Sequence, residues 1–288
     1  MSPIPAGIIG GSGLYDLPGM ERVRSLTVET PFGKPSDELV EGVMGGRSIY
    51  FLARHGRAHT IAPHEINHRA NIWALRSLGV RWILAVGAVG SLREEVRPRE
   101  AVVPDQFLDR TGDRSRHTFF GGGIVAHVGF AEPTSRVLRG ILAAAGREAG
   151  ITVHEGGTYV CMDGPAFSTR AESLAYRTLG GTVIGMTNLP EAKLAREACI
   201  AYANLAMVTD YDCWREGEEA VTADAVFAHL RANVEAARLT LAAAIPRLPT
   251  VADLPEHRAL ADAMVTARSF WPDGVLEKIP WILDNNGS

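Results

Sequence analysis

The sequence has little cysteine and no surplus of positive charge. Its 288 residues contain three cysteines, Cys161, Cys199 and Cys213, and no two of them have the CxxC spacing of a metal site. An odd number of widely spaced cysteines forms no disulfide framework, so we expect a protein of the reducing cytoplasm. The formal net charge is −4, which argues against binding to nucleic acid or an anionic membrane by bulk electrostatic attraction.

Long apolar runs are also missing. No stretch approaches the roughly 20 consecutive apolar residues that a bilayer-spanning helix needs. Residues 1–5 lack the basic region of a secretion signal, so we expect no signal peptide. Hydrophobic residues make up 46% of the chain and charged residues 22%, a balance that is typical of soluble globular proteins.

Several common binding motifs are absent. The glycine turn at residues 10–13 lacks the third spaced glycine of a dinucleotide fingerprint and the Lys-Ser/Thr of a P-loop. Its backbone amides and the Ser12 hydroxyl could hold one phosphate, although a purely structural turn fits the pattern equally well. His59, His64 and His68 do not have the spacing of a common zinc site, so we expect no bound metal.

What the sequence does contain is an alternation of strand and helix patterns. Strands are predicted at residues 6–9, 47–53, 82–86, 101–104, 158–162, 182–186 and 202–208, and helices at 67–78, 134–148, 171–179, 190–198 and 222–245. This alternation predicts a single α/β domain at residues 1–248, with a β-sheet covered by helices. Residues 249–288 are predicted to be a C-terminal extension that packs on the domain or on a neighbouring subunit, because they contain Phe270, Trp271 and Trp281.

The most informative segment is Met207–Trp214, in which two carboxylates follow an apolar strand. The ends of buried strands are where open α/β sheets bind ligands. Asp210 and Asp212 would point to the same face of an extended continuation. Two such groups suit a base that carries an amino group beside a ring nitrogen. The alternative is a loop with two solvated acids.

Polar and aromatic side chains follow other predicted strands. Arg54 and His55 end the strand at 47–53, and a guanidinium can bind phosphate bidentately. Met186 and Thr187 come just before a helix predicted to begin at Pro190. Phe167 follows the strand at 158–162, where its ring could either stack on a planar base or cap the core.

Taken in order, the segments GIIGGSGLYD, TPFGKPSD, LARHGRAHTI, DGPAFSTRAES, MTNLPEAKLAREA and TDYDCW resemble the nucleoside phosphorylase family, most closely its methylthioadenosine phosphorylase branch. The resemblance covers residues 6–248. It implies a mixed β-sheet flanked by helices, and phosphorolysis of a purine nucleoside to a free base and a sugar 1-phosphate. Inorganic phosphate would be a co-substrate, and no cofactor would be needed.

The resemblance also implies roles for individual residues. The phosphate site would consist of Ser12, Arg54, His55, the backbone around Ala88, and Thr187. Met186 would lie against the ribose and Phe167 near the base and sugar. Asp210, in its protonated form, would bind purine N7, and Asp212 would bind the 6-amino group. His127 would close the 5′ pocket of a neighbouring subunit, which implies a homotrimer or a dimer of trimers.

The chain departs from the family pattern at several positions. Gly87 stands where a Thr is common, and Ala166 replaces an Arg; Phe227 and Ala223 stand where Leu and Val are usual. A 6-oxopurine phosphorylase, or a phosphorylase of another 5′-substituted adenosine, is the alternative within the family. Outside this activity, the alternatives are a nucleoside hydrolase, which would use water in place of phosphate, and a nucleoside-binding protein without catalysis.

Overall fold

The fold is a large mixed β-sheet with helices on both faces. The computed structural model describes residues 3–215 and 223–283, without the side chains of residues 12, 23 and 223–231. Within these residues the strands are β1 Ala6–Gly10, β2 Glu21–Leu26, β3 Leu39–Met44, β4 Arg47–Ala53, β5 Trp82–Ser91, β6 Ala101–Val103, β7 Gln106–Arg110, β8 Val153–Glu155, β9 Thr158–Met162, β10 Gly181–Gly185 and β11 Ala201–Asp210. The helices are α1 His68–Ser77, α2 Arg136–Glu148, α3 Arg170–Thr178, α4 Asn188–Glu197, α5 Ala223–Ala244 and the short α6 Val275–Lys278.

The sheet has the order β2-β3-β4-β1-β5-β10-β9-β7, and β11 pairs with both β5 and β6. Strands β4, β1, β5 and β11 are parallel, whereas β2–β3, β3–β4 and β5–β10 are antiparallel pairs. The expectation of a mixed α/β sheet flanked by helices is therefore confirmed.

Strand β5 has an opening along one edge. Its first half pairs with β1 as far as Ala85, and its end pairs with β10 from Gly90 onward. Between these two points the backbone of residues 86–89 pairs with β11 on its other edge. The predicted strand end at residue 86 was wrong, because pairing with β11 and then with β10 extends β5 to Ser91.

The hydrophobic core lies on both faces of the sheet. Ile83 and Ala85 of β5 pack in one cluster with α1 and α4, whereas Trp82 and Leu84 pack in the other with α2 and α5. A strand that is buried on both faces has no polar alternation, which explains the continuous apolar runs of β5 and β11.

The segment after Leu248 contacts the body of the chain. The Trp281 indole is buried and donates to the Glu197 carbonyl at 2.9 Å, and Trp73 Nε1 donates to the Lys278 carbonyl at 2.8 Å. Phe270, by contrast, is exposed. Of the helices that the structure describes, none is long and apolar enough to cross a bilayer.

Candidate active site

A cavity of about 360 Å³ lies where the open edge of β5 meets the carboxyl ends of β1, β4 and β11. Its wall is completed by β10, by the loop that carries Phe167, and by the Asn233–Ala237 face of α5. The cavity therefore forms where the strand pairing of β5 changes from β1 to β10, a position typical of ligand sites in α/β sheets.

One end of the cavity holds the two acids. Strand β11 ends at Asp210, opposite Gly90 of β5, after a register shift that follows Val208. A Cβ on Gly90 would lie 3.0 Å from Asp210 Oδ1 and 3.3 Å from the Asp212 Cβ. Both acids thus lie against Gly90, which leaves them space because it lacks a side chain. They meet through a turn after Asp210 and not through the extended continuation that the sequence predicted.

The surroundings of the two carboxyls differ. Asp210 is half-buried, and its Oδ2 accepts a hydrogen bond from the Thr209 hydroxyl at 2.7 Å. Asp212 is buried, and within the described part of the chain its Oδ2 has no hydrogen-bond partner. Burial raises the pKa of Asp212, and the nearby Ser173 hydroxyl and Cys213 N–H offset part of this effect. Asp212 lines the cavity, whereas its Oδ2 is itself buried, so a donor on a ligand would reach this oxygen only after the carboxyl rotates.

Arg54 lies at the other end and is almost fully buried. Its Nε and Nη2 donate to Glu191 at 2.8 and 3.0 Å, and Nη2 and Nη1 also donate to the carbonyls of Ile9 and Val86. The bidentate face of the guanidinium is therefore held by Glu191, and the expectation that it binds phosphate bidentately is corrected. One Nη1 hydrogen remains, beside Gly87.

Glu191 is a residue that the sequence reasoning missed. It is fully buried in the first turn of α4 and also accepts the Tyr202 hydroxyl at 2.8 Å. Burial alone would lower the pKa of Arg54, but the charge and hydrogen bonds of Glu191 hold it above its ordinary value. The signal was present, because Glu191 shares a helical face with the apolar Leu194 and Ala195. An acid at a core position needs a cationic partner.

The remaining phosphate-site candidates surround Arg54. His55, Ala88 and Thr187 line the cavity, and Thr187 directly precedes α4. A Cβ on Gly87 would lie 3.8 Å from Thr187 Oγ1, an ordinary contact, so this position has room for a side chain. The backbone of Ser12 begins a short 3-10 turn, but its side chain lies outside the described part of the structure.

The candidates for sugar and base contacts also line the cavity. They are Met186 and the half-exposed Phe167. His127 is exposed and is not among the residues that line the cavity of its own chain. The side chains of Ala223 and Phe227 lie outside the described residues.

Of the three histidines considered for a metal site, His64 lies in the 3-10 turn Pro63–Glu65, and the other two contact different partners. His59 stacks on His55 with ring centroids 4.5 Å apart, and His68 is buried 3.8 Å from Glu191. Across residues 3–215 and 223–283 the structure shows no cluster of three His, Cys, Asp or Glu side chains that could hold a metal ion.

The mixed sheet and its cavity, with an acid pair at one end and an arginine at the other, are those of an α/β protein that binds a small polar ligand. The sequence model of the phosphorylase superfamily matches residues 5–245. The chain is 52% identical over 277 residues to S-methyl-5′-thioadenosine phosphorylase of Geobacter sulfurreducens, covering 96% of this chain and 97% of that protein. It is 52% identical over 283 residues to the enzyme of the same name from Thermosynechococcus vestitus, with coverage of 96% and 97%.

Solved structures agree with these sequence relatives. A methylthioadenosine phosphorylase from an Antarctic soil metagenomic library is 44% identical, with a TM-score of 0.90 and coverage of 98% of this chain and 100% of that one. The methylthioadenosine phosphorylase of Schistosoma mansoni in complex with adenine is 42% identical, with a TM-score of 0.81 and coverage of 85% and 91%. The chain belongs to the phosphorylase superfamily.

Proposed function

We propose that this protein is an S-methyl-5′-thioadenosine phosphorylase, which converts S-methyl-5′-thioadenosine and phosphate into adenine and 5-methylthioribose 1-phosphate. The observation that carries the proposal is one cavity with the buried acceptor Asp212 Oδ2 at one end and the Arg54 region at the other. The relatives at about half identity over nearly the whole chain bear the same activity in their names.

The acid pair suits an adenine base. Asp212 Oδ2, once the carboxyl rotates, offers an acceptor to the 6-amino group. Asp210, in its protonated form, donates to N7 from the end of β11. A 6-oxopurine presents an oxygen acceptor where adenine presents a donor, so it leaves the Asp212 oxygen unpaired. An unpaired buried polar group of this kind strongly disfavours the wrong substrate.

The Arg54 end suits inorganic phosphate as the co-substrate, and the reaction needs no cofactor. The donors are the remaining Arg54 Nη1 hydrogen, the Thr187 hydroxyl and backbone amides around Ala88. Ser12 follows β1 and His55 follows β4, and both belong to the proposed phosphate site. A phosphate oxygen forms a bond to C1′ while the bond from C1′ to N9 breaks. The electron pair leaves with the purine, and Asp210 gives its proton to N7. Catalysis comes from positioning and from neutralising charge on the departing base.

Assembly completes the 5′ end of the site in this proposal. His127 is exposed and does not line its own cavity, so its contribution is to a neighbouring chain. The assembly is a homotrimer or a dimer of trimers. A cytoplasmic location is supported by Cys161, Cys199 and Cys213, which are thiols and not disulfides.

The test is a substrate panel with the purified protein, in which adenine release is measured by chromatography with and without phosphate. S-methyl-5′-thioadenosine should be cleaved only when phosphate is present, and the sugar product should be the 1-phosphate. Adenosine and inosine vary the 5′ group and the base separately. Cleavage without phosphate would instead identify a hydrolase, and faster cleavage of inosine would identify a 6-oxopurine phosphorylase.

A further inference from the structure

Two hydrogen bonds with Ile61 hold His55, one through its backbone and one through its imidazole. The Ile61 N–H donates to the His55 carbonyl at 3.1 Å, and His55 Nδ1 lies 2.9 Å from the Ile61 carbonyl oxygen. A carbonyl oxygen can only accept, so Nδ1 carries the hydrogen of this bond. The loop between these residues turns at Gly56, whose φ is +74°. The loop therefore determines both the orientation and the tautomer of the ring.

The ring is neutral at neutral pH. Burial lowers the pKa of His55 to about 4, and the positive charge of Arg54 and the neighbouring His59 lower it further, whereas the bond to Ile61 and the charge of Glu191 oppose them. A neutral imidazole with its hydrogen on Nδ1 has a lone pair on Nε2. In the described part of the chain Nε2 has no hydrogen-bond partner, and the ring lines the cavity.

Most of the other polar groups at the Arg54 end differ from His55 Nε2, because they can donate a hydrogen bond to an anion. Arg54 Nη1 and the backbone amides only donate, so they bind any oxyanion of suitable size. The Thr187 hydroxyl can rotate either to donate or to accept. Like His55 Nε2, Asn188 Oδ1 near Gly87 only accepts, and it already accepts a hydrogen bond from the Thr187 hydroxyl at 3.4 Å. His55 Nε2 is a fixed acceptor to which no described residue donates.

We propose that His55 Nε2 makes the anion site selective for an oxyanion that carries a proton. It accepts a hydrogen bond from a P–OH group of phosphate, whereas its lone pair repels an oxygen that carries no hydrogen. Sulfate has the same tetrahedral shape but carries no proton at neutral pH. The site is therefore selective for hydrogen phosphate over sulfate, an inference that rests on the proposed function because it assumes that this end of the cavity binds phosphate.

The first experiment uses the unaltered protein at neutral pH. The KM of phosphate is compared with the inhibition constants of sulfate and of monofluorophosphate, in which fluorine replaces the P–OH group. Both inhibitors should bind at least about tenfold more weakly than phosphate, since one hydrogen bond to a charged ligand is lost and a lone pair opposes the anion. Equal affinity of sulfate and phosphate would overturn the inference.

Variants of His55 test whether this residue is responsible. His55→Gln retains an acceptor oxygen and should keep part of the selectivity, whereas His55→Phe retains a ring without an acceptor. In His55→Phe the affinities for phosphate and sulfate should approach each other to within about threefold. His59→Phe is the matched control, because it keeps the stacked ring and leaves Nε2 of His55 in place, and its selectivity should be unchanged. Undiminished selectivity in His55→Phe would refute the assignment.

Calorimetric titration with phosphate and with sulfate, without nucleoside, separates this inference from the proposed function. Preferential phosphate binding without cleavage of S-methyl-5′-thioadenosine would support the His55 assignment and contradict the proposed activity. Phosphate-dependent cleavage without any preference over sulfate would support the activity and overturn the His55 assignment.

Discussion

Glu191 binds Arg54 through two hydrogen bonds, of 2.8 and 3.0 Å, in an ion pair whose side chains are 0% and 2% exposed. The pair joins the first turn of α4 to the end of β4. It also orients the guanidinium so that Nη1, and not the bidentate face, lies beside Gly87. The position of the arginine in the site thus depends on a residue that does not line the cavity.

Loss of Glu191 should therefore affect both stability and phosphate binding. In Glu191→Ala the guanidinium stays buried without its counter-charge, and removal of one partner from such a pair costs about 3–5 kcal/mol. We expect this decrease in the free energy of unfolding, measured with urea. Any remaining activity should show a larger rise in KM for phosphate than for nucleoside. Glu155→Ala removes a solvent-exposed partner of Arg147 and should cost less than about 1 kcal/mol; equal losses in both variants would contradict the prediction.

Asp210→Asn should lower kcat and shift base preference. An amide cannot give a proton to N7, and loss of a general acid typically reduces the rate by about 10²- to 10⁴-fold. The amide can donate a hydrogen bond, so the ratio of inosine to S-methyl-5′-thioadenosine cleavage should increase. Steady-state kinetics with both substrates measure this ratio. Asp113→Asn alters an exposed acid outside the cavity and should leave the ratio unchanged. An unaltered rate and preference in Asp210→Asn would rule out a role in base recognition.

Two glycines of β5 should respond in opposite ways to added side chains. At Gly87 a Cβ meets only ordinary contacts, the nearest being Thr187 Oγ1 at 3.8 Å. Gly87→Thr should therefore fold normally. Its hydroxyl should lower the KM of phosphate several-fold, because it can add about one hydrogen bond to the anion. At Gly90 a Cβ would press on the Asp210 carboxyl at 3.0 Å. Gly90→Ala should reduce kcat/KM for the nucleoside by about tenfold or more. Similar effects of both substitutions on nucleoside cleavage would be incompatible with this geometry.

Glu197 should make stability depend on pH. Burial raises the pKa of its carboxyl to about 7, although the Phe119 N–H and the Thr118 hydroxyl act in the opposite direction. Because the folded-state pKa lies above the unfolded value of about 4.5, the folded state binds the proton more tightly. This stabilisation is fully present below about pH 4.5 and is lost as the pH rises through about 7.

Glu197→Gln provides the measurement, because a carboxamide resembles the protonated acid. We compare the free energy of unfolding of the variant with that of the unaltered protein. The variant's value minus the unaltered value should increase by up to about 3 kcal/mol between pH 4.5 and 8. Urea unfolding at these two pH values measures the difference. A difference between the two proteins that does not change with pH would show that Glu197 titrates normally.

Subunit mixing tests the proposed role of His127. His127→Ala and Asp210→Ala proteins should each have little activity if every site combines Asp210 of one chain with His127 of a neighbour. After reversible dissociation and mixing, hybrid trimers should regain activity, because some interfaces then join an intact Asp210 to an intact His127. Native mass spectrometry verifies that hybrids form. Inactive hybrids made from two inactive parents would place the action of His127 within its own chain.

Local patterns identified most of the elements that surround the site. The helix predicted at residues 67–78 is observed as His68–Ser77, since Asn67 accepts the Ala70 N–H and Gly79 has the positive φ of a helix end. The apolar run before Asp210 indicated a buried strand, which is observed as Ala201–Asp210. In contrast, β2, β3, β7 and β8 were not predicted. Strands β2 and β8 lie at edges, where partial exposure weakens the alternation of apolar and polar residues.

The sequence by itself determined the α/β class, the family, and the residue types at the ends of β4, β9, β10 and β11, because these depend on local periodicity and on short motifs. Only the tertiary structure decided how those residues combine. Arg54 and Glu191 are 137 positions apart in the chain. The two acids lie against Gly90 because a register shift in β11 precedes Asp210 and a turn follows it. The same holds for His55, whose tautomer follows from a loop that closes on the Ile61 carbonyl. Such contacts depend on strand order and pairing register, and no local pattern in the chain specifies either.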